Sequence, residues 1–103
     1  SCLRQTLPPQ DIVVIDDGST DATADVCRNY SNHLRWRTIQ NGGVSRARNI
    51  GAAEAEGEAF VFLDSDDVLL PHALEALTRT LEKTGAGMAY GMVIERAEPP
   101  ALA

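Results

Sequence analysis

Cysteine is scarce in this sequence: Cys2 and Cys27 are the only two, far apart and with no CxxC pairing. That excludes a disulfide framework and a thiolate metal site, and leaves both as free thiols, with Cys27 a small core residue on a helix. No apolar run approaches the roughly 20 residues that a bilayer span requires. The opening SCLRQTLPPQ also has no signal-peptide core, so the chain reads as soluble. Positive charge is in deficit, with 9 Lys and Arg against 15 Asp and Glu and a net charge of −6. That sign disfavours nucleic acid and anionic membrane as partners, and an anionic ligand would need a local counter-charge. Repeats and low-complexity segments are absent. The 103 residues, 44% of them hydrophobic, suit one small domain with a modest core.

What is present alternates between strand-like and helix-like segments. DIVVID (11–16) is a β-branched run of the length expected for a strand buried on both faces. In 19–30, Thr23, Val26, Cys27 and Tyr30 share one helical face, with Ser19 or Thr20 as N-cap. HLRWRTI (33–39) alternates, as a strand nearer an edge does. GVSRARNIGAAEAEG (43–57) is an alanine-rich helix closed by Gly57. EAFVFLD (58–64) is a second buried strand, and Pro71 begins a helix with Leu70, Leu74, Leu77 and Leu81 as its apolar stripe. AGMAYGMVIE (86–95) is a final strand, followed by a proline-broken polar tail over 96–103. This order predicts an α/β fold: an open, mostly parallel sheet flanked by helices, whose ligands bind outside the carboxyl ends of the strands. An incomplete sheet of this kind leaves an edge to pair with a second copy of the chain.

Three stretches converge on that edge. In DSDD (64–67), Asp64 and Asp66 lie on the same side of an extended backbone and can meet one hard cation, Mg²⁺ or Mn²⁺, which keeps open positions for phosphate oxygens. Such an ion supplies the counter-charge that an acidic chain needs. The competing explanation is that Asp66 or Asp67 caps the helix after Pro71, and the spacing does not fit an EF-hand. In DDGSTD (16–21), Gly18 permits a tight turn, Ser19 or Thr20 can cap, and Asp16 or Asp17 can accept hydrogen bonds from a base or a ribose. In QNGGVSRARNIG (40–51), Asn41, Gly42 and Gly43 precede a helix whose free N–H groups face the same crevice. Arg46 and Arg48 add guanidiniums, with Arg48 aimed at a base or diphosphate and Asn49 beside it. Taken alone, each stretch also reads as ordinary turn, cap or surface helix.

In order and spacing, IVVIDDGSTDAT, NGGVSRARNIGAAEAEGEAFVFLDSDD and LPHALEAL resemble the family 2 glycosyltransferases with the GT-A, Rossmann-like fold, over roughly residues 1–95. The resemblance implies a nucleotide-sugar donor site. Asp16 and Asp17 would hold base and ribose, Arg48 and the Asn41–Gly43 loop would surround the base, and Asp64-Ser65-Asp66 would be the DxD motif. In that motif Asp66 ligates the metal and Asp64 approaches ribose or metal. The implied partners are a nucleoside-diphosphate sugar, with UDP the commonest expectation, and a glycan, lipid or other hydroxyl acceptor. Nucleotide sugars imply the cytoplasmic side, at the inner face of the membrane if other segments anchor the protein. The family's opening strand and its acceptor half, which carries the catalytic base, have no counterpart in these residues, so the chain is expected to be a donor-binding portion and no catalytic base is named. Two other readings stand beside this one. One is a nucleotide- or metal-binding piece without catalysis. The other is a receiver-type phospho-acceptor domain, which would use Asp16, Asp17 and Asp64 but places Lys83 wrongly.

Overall fold

The computed structural model describes residues 1–20 and 23–92, which fall into two compact units, residues 10–66 and residues 1–9 with 67 onward. In the first unit β1 (Val13–Asp16) pairs in parallel with β2 (Arg35–Thr38), Val13 opposite Arg35 and Asp16 opposite Thr38. Bonds from Arg35 N–H to the Ile12 carbonyl (3.0 Å) and from Ile39 N–H to the Asp16 carbonyl (2.8 Å) extend the ladder at both ends. A parallel pair needs a crossover, and α1 (Thr23–Asn29) supplies it. Among the described residues Cys27 on α1 and Ile39 just beyond β2 are the buried apolar ones, as expected for Cys27, whose thiol is pushed up by burial and by the nearby Asp16 carboxylate. Val26 and Tyr30, which share the apolar face read from the sequence, are exposed, and β1 is half-buried rather than closed on both faces.

The helix α2 (Val44–Glu54) packs against β1, and Gly51 makes the approach close: a Cβ there would stand 3.4 Å from Ile15 Cγ1. The helix ends at Glu54, short of Gly57. Arg35 explains the earlier stop, because its guanidinium donates to the terminal Glu54 carbonyl at 2.9 Å, placing positive charge at the negative end of the helix. The same guanidinium holds Asp11 through two bonds, and Asp11 accepts the Glu56 N–H (3.0 Å), so its carboxyl lies below the ordinary range. Arg37 pairs with the Glu54 carboxylate.

In the second unit α3 (Ala73–Thr84) carries the expected half-buried Leu74, Leu77 and Leu81, while Leu70 is exposed. It stops at Gly85, which adopts the left-handed conformation (φ 68°) and donates its N–H to the Leu81 carbonyl. The first turn is tied down by Gln5. Its buried side chain accepts the Leu74 N–H (3.0 Å) and donates to the carbonyls of Leu70 (2.8 Å) and Ser1 (3.3 Å).

The α/β class is as expected, consistent with part of a Rossmann-like core, but the sheet among the described residues has two strands. Among the described residues EAFVFLD forms no strand ladder, and it exposes Phe60, Val61 and Phe62. The described part of the final expected strand, 86–92, is likewise unpaired, with Tyr90 90% exposed. A β-branched and aromatic run becomes a strand only when a neighbour accepts its ladder, and among the described residues neither run has one. Residues 93–95 of that strand and the tail 96–103 lie outside the described residues. Among those described, no helix is long and apolar enough to cross a membrane.

Candidate functional site

Asp16 ends β1 and is 5% exposed. One carboxylate oxygen accepts the Ser19 N–H (3.0 Å) and the other the Thr38 hydroxyl (3.3 Å). Bonds from the Ser19 hydroxyl and N–H hold the carboxyl below its usual range although burial opposes this. Asp16 therefore ties the end of β1 to the following turn and to β2, a task the sequence alone did not reveal. The partner Thr38 was hidden because it lies 22 positions away, reached only through the parallel register.

Asp17 turns the other way. Its two oxygens accept the N–H groups of Gly42 (2.9 Å) and Gly43 (3.1 Å). The loop amides expected to stand open at the start of α2 are thus bonded to the protein's own carboxylate. Gly18 sits between them in the left-handed region (φ 77°), where a Cβ would stand 3.0 Å from Asn41 N. Gly43 is the N-cap of α2 and offers no side chain to its amides. Arg46 donates to the Gln40 carbonyl and braces the loop from the helix side.

Arg48 lies five residues beyond Gly43, about 7.5 Å along the axis of α2. Its guanidinium donates to Asp64 at 2.8 Å, with both side chains about half-exposed. One helix therefore reaches both acidic stretches, the Asp17 turn through its N-terminal loop and Asp64 through Arg48.

Along the 64–67 run the carboxylates of Asp64, Asp66 and Asp67 each offer an oxygen within 4.8 Å of the others, and all three are exposed. Residues 65 and 66 form a turn, not the extended backbone expected. The turn folds Asp67 back beside Asp64, so the cluster has a third member that strand alternation does not predict. An octahedral Mg²⁺ at about 2.1 Å needs ligand oxygens about 3–4 Å apart. Exposed aspartates reach that by modest side-chain rotation. An all-carboxylate set suits a hard divalent cation and not zinc or copper. The capping alternative is weakened, since Gln5 takes the first-turn amide of α3.

Comparison with known proteins follows the same lines. The family described as Glycosyl transferase family 2 matches residues 1–101. Among curated proteins, the chain is 32% identical to the glycosyltransferase GlyG of Streptococcus pneumoniae over 93 residues, 86% of this chain and 31% of that protein. It is 34% identical to the glycosyltransferase GlyA of the same organism, covering 88% of this chain and 14% of the relative. It is 36% identical to a cholesterol galactosyltransferase of Borreliella burgdorferi, covering 73% of this chain and 22% of the relative. The chain thus spans about a third or less of the length of these relatives. No solved structure matches it at a significant level.

Proposed function

The chain belongs to glycosyl transferase family 2, and from that premise we propose that it forms the donor-binding part of an enzyme that transfers a sugar from a nucleoside diphosphate to an acceptor hydroxyl. The observation that carries this reading is the contact between Arg48 and a carboxylate of the 64–67 cluster. Oxygens able to hold a hard cation stand beside a guanidinium able to meet phosphate, which is what an acidic protein requires to bind a diphosphate.

In this reading Asp66 and Asp64 are the principal ligands of Mg²⁺ or Mn²⁺, with Asp67 beside them. An ion held by these carboxylates would supply positive charge to offset the negative charge gathering on the leaving diphosphate. Arg48 would contribute a second positive charge beside the cluster, and Asp64 would approach the ribose or the metal. Asp16, Asp17, Asn41 and Gly43 belong to the nucleoside end, where the β1 turn and the α2 loop meet. UDP is the nucleotide we assign, and a glycan, lipid or other hydroxyl the acceptor. We assign no residue to the deprotonation of the acceptor hydroxyl. The donor places the site on the cytoplasmic side, at the inner membrane face when the acceptor is a lipid.

Calorimetric titration of UDP with Mn²⁺, then with EDTA, tests this. Binding should require the ion and should be lost in Asp66→Ala, with the melting temperature unchanged or raised because like charges are relieved. Binding that ignores both EDTA and the substitution would sink the metal-site assignment.

A further inference from the structure

We propose that Arg35 and Asp11 are positioning residues: joined at the edge of the sheet remote from the donor site, they fix the C-terminal end of α2 and thereby set Arg48 opposite Asp64. What Arg48 is for rests on the donor-site reading; the placement of the helix does not.

The clasp starts from alternation along β2. Arg35 and Arg37 fall on one face of the strand, two residues apart, and both reach Glu54, the last residue of α2. Arg37 takes its carboxylate, and Arg35 donates to its carbonyl at 2.9 Å. A terminal helix carbonyl has no partner within its own helix. Ala55 after it is extended, so no left-handed glycine closes this end as Gly85 closes α3. The Arg35 guanidinium also donates to both oxygens of Asp11, at 2.6 and 3.4 Å, and Asp11 in turn accepts the Glu56 N–H at 3.0 Å. Three segments thus meet at one ion pair: the approach to β1, the first residue of β2 and the exit from α2.

Arg35 is half-exposed, but the Asp11 side chain is only 16% exposed. Forked, and shared with two backbone groups, this pair holds more than a lone surface pair does. The Arg48–Asp64 pair is exposed on both sides and too weak to place a helix, so its geometry follows from where the helix is held. Glu54 lies six residues, about 9 Å, beyond Arg48 along the axis of α2. The strand register puts Arg35 opposite Val13 at the start of the sheet, while Asp16, where the candidate site begins, stands opposite Thr38 at its end. Arg35 therefore acts on the site through α2.

The test is a double-variant cycle on the whole chain. UDP affinity in the presence of Mn²⁺ is measured for Arg35→Met, which keeps an aliphatic stem and removes the donors, in the parent and in Arg48→Ala. Arg35→Met alone should weaken binding about 5-fold, within the roughly 10-fold that removal of Arg48 costs. In Arg48→Ala it should cost nothing further, because a residue that acts through Arg48 has nothing left to place. Lost stability with unchanged affinity, or equal losses of affinity in the two backgrounds, would overturn the proposal. Residual dipolar couplings of the ligand-free chain give a second readout: in Arg35→Met the α2 amides should change orientation relative to those of β1 and β2. An unchanged orientation also overturns the proposal. If UDP does not bind the parent, the donor-site reading fails, and the couplings alone decide whether the clasp sets the helix. Should Arg35→Met not fold, Asp11→Asn takes its place in both measurements, since it removes the charge that holds Arg35 and leaves an oxygen for the Glu56 N–H.

Discussion

Replacing Asp16 by alanine separates a structural carboxylate from a ligand-binding one. The carboxylate is buried and accepts from the Ser19 N–H at 3.0 Å and the Thr38 hydroxyl at 3.3 Å. A bond to a charged acceptor contributes about 1.5–3 kcal/mol, and a long one less. Asp16→Ala should therefore cost about 2–4 kcal/mol. Because 1 kcal/mol shifts melting by about 4–8 °C in a domain of this size, the fall should be at least about 8 °C. Trp36 reports on the transition from the strand that Asp16 braces, opposite Val14 in the ladder. The pH dependence supplies a second check. The Asp16 carboxyl is held below its unfolded value by Ser19, so its contribution is complete above about pH 4, the ordinary aspartate range, and is lost as pH falls through the depressed value. The gap between parent and variant should thus be widest near neutrality and close in acid. Equal melting at pH 7, or a gap that grows in acid, would refute the bracing role of Asp16.

Arg48→Ala should weaken UDP binding in the presence of Mn²⁺ about 10-fold, by loss of a charge-assisted contact. Its effect on melting should be small, because the exposed pair with Asp64 is worth at most about 1 kcal/mol; unaltered affinity would return Arg48 to the surface of α2. Gln5→Ala should cost about 1–3 kcal/mol by leaving the Leu74 N–H without its partner. Urea unfolding together with faster exchange of the Leu74 amide would register it, and an unchanged midpoint would show that Gln5 braces nothing.

Local pattern carried much of the fold. The β-branched run at 11–16, the alternation at 33–39 and the leucine spacing on α3 each mark an element whose own side chains decide it. Where a second segment decides, the pattern misled. Phe60–Phe62 have every local property of a buried strand, yet pairing is a property of two segments, and these side chains stand exposed. The candidate site divides in the same way. The acidic stretches, the glycine loop and Arg48 are visible as residue types. What each carboxylate does depends on partners that spacing along the chain does not supply: Thr38 for Asp16, the Gly42 and Gly43 amides for Asp17, and a turn at 65–66 that adds Asp67. Gln5 gave no signal, since a lone glutamine near a terminus looks like solvent-facing surface.

The seating of Gly51 against Ile15 has a thermodynamic consequence. The contact with β1 falls between the two ends of α2, so the loop before the helix and Arg48 near its middle are carried by one element that packs on the strand. Any ligand that tilts that element by acting on Arg48 also does work on the loop, and the reverse holds equally. If the proposed cation and nucleoside both bind, equilibrium linkage requires that the factor by which the cation alters affinity for the nucleoside equals the factor by which the nucleoside alters affinity for the cation. A side chain at Gly51 would press on Ile15 and move the helix on the strand, and the two factors would have to change together.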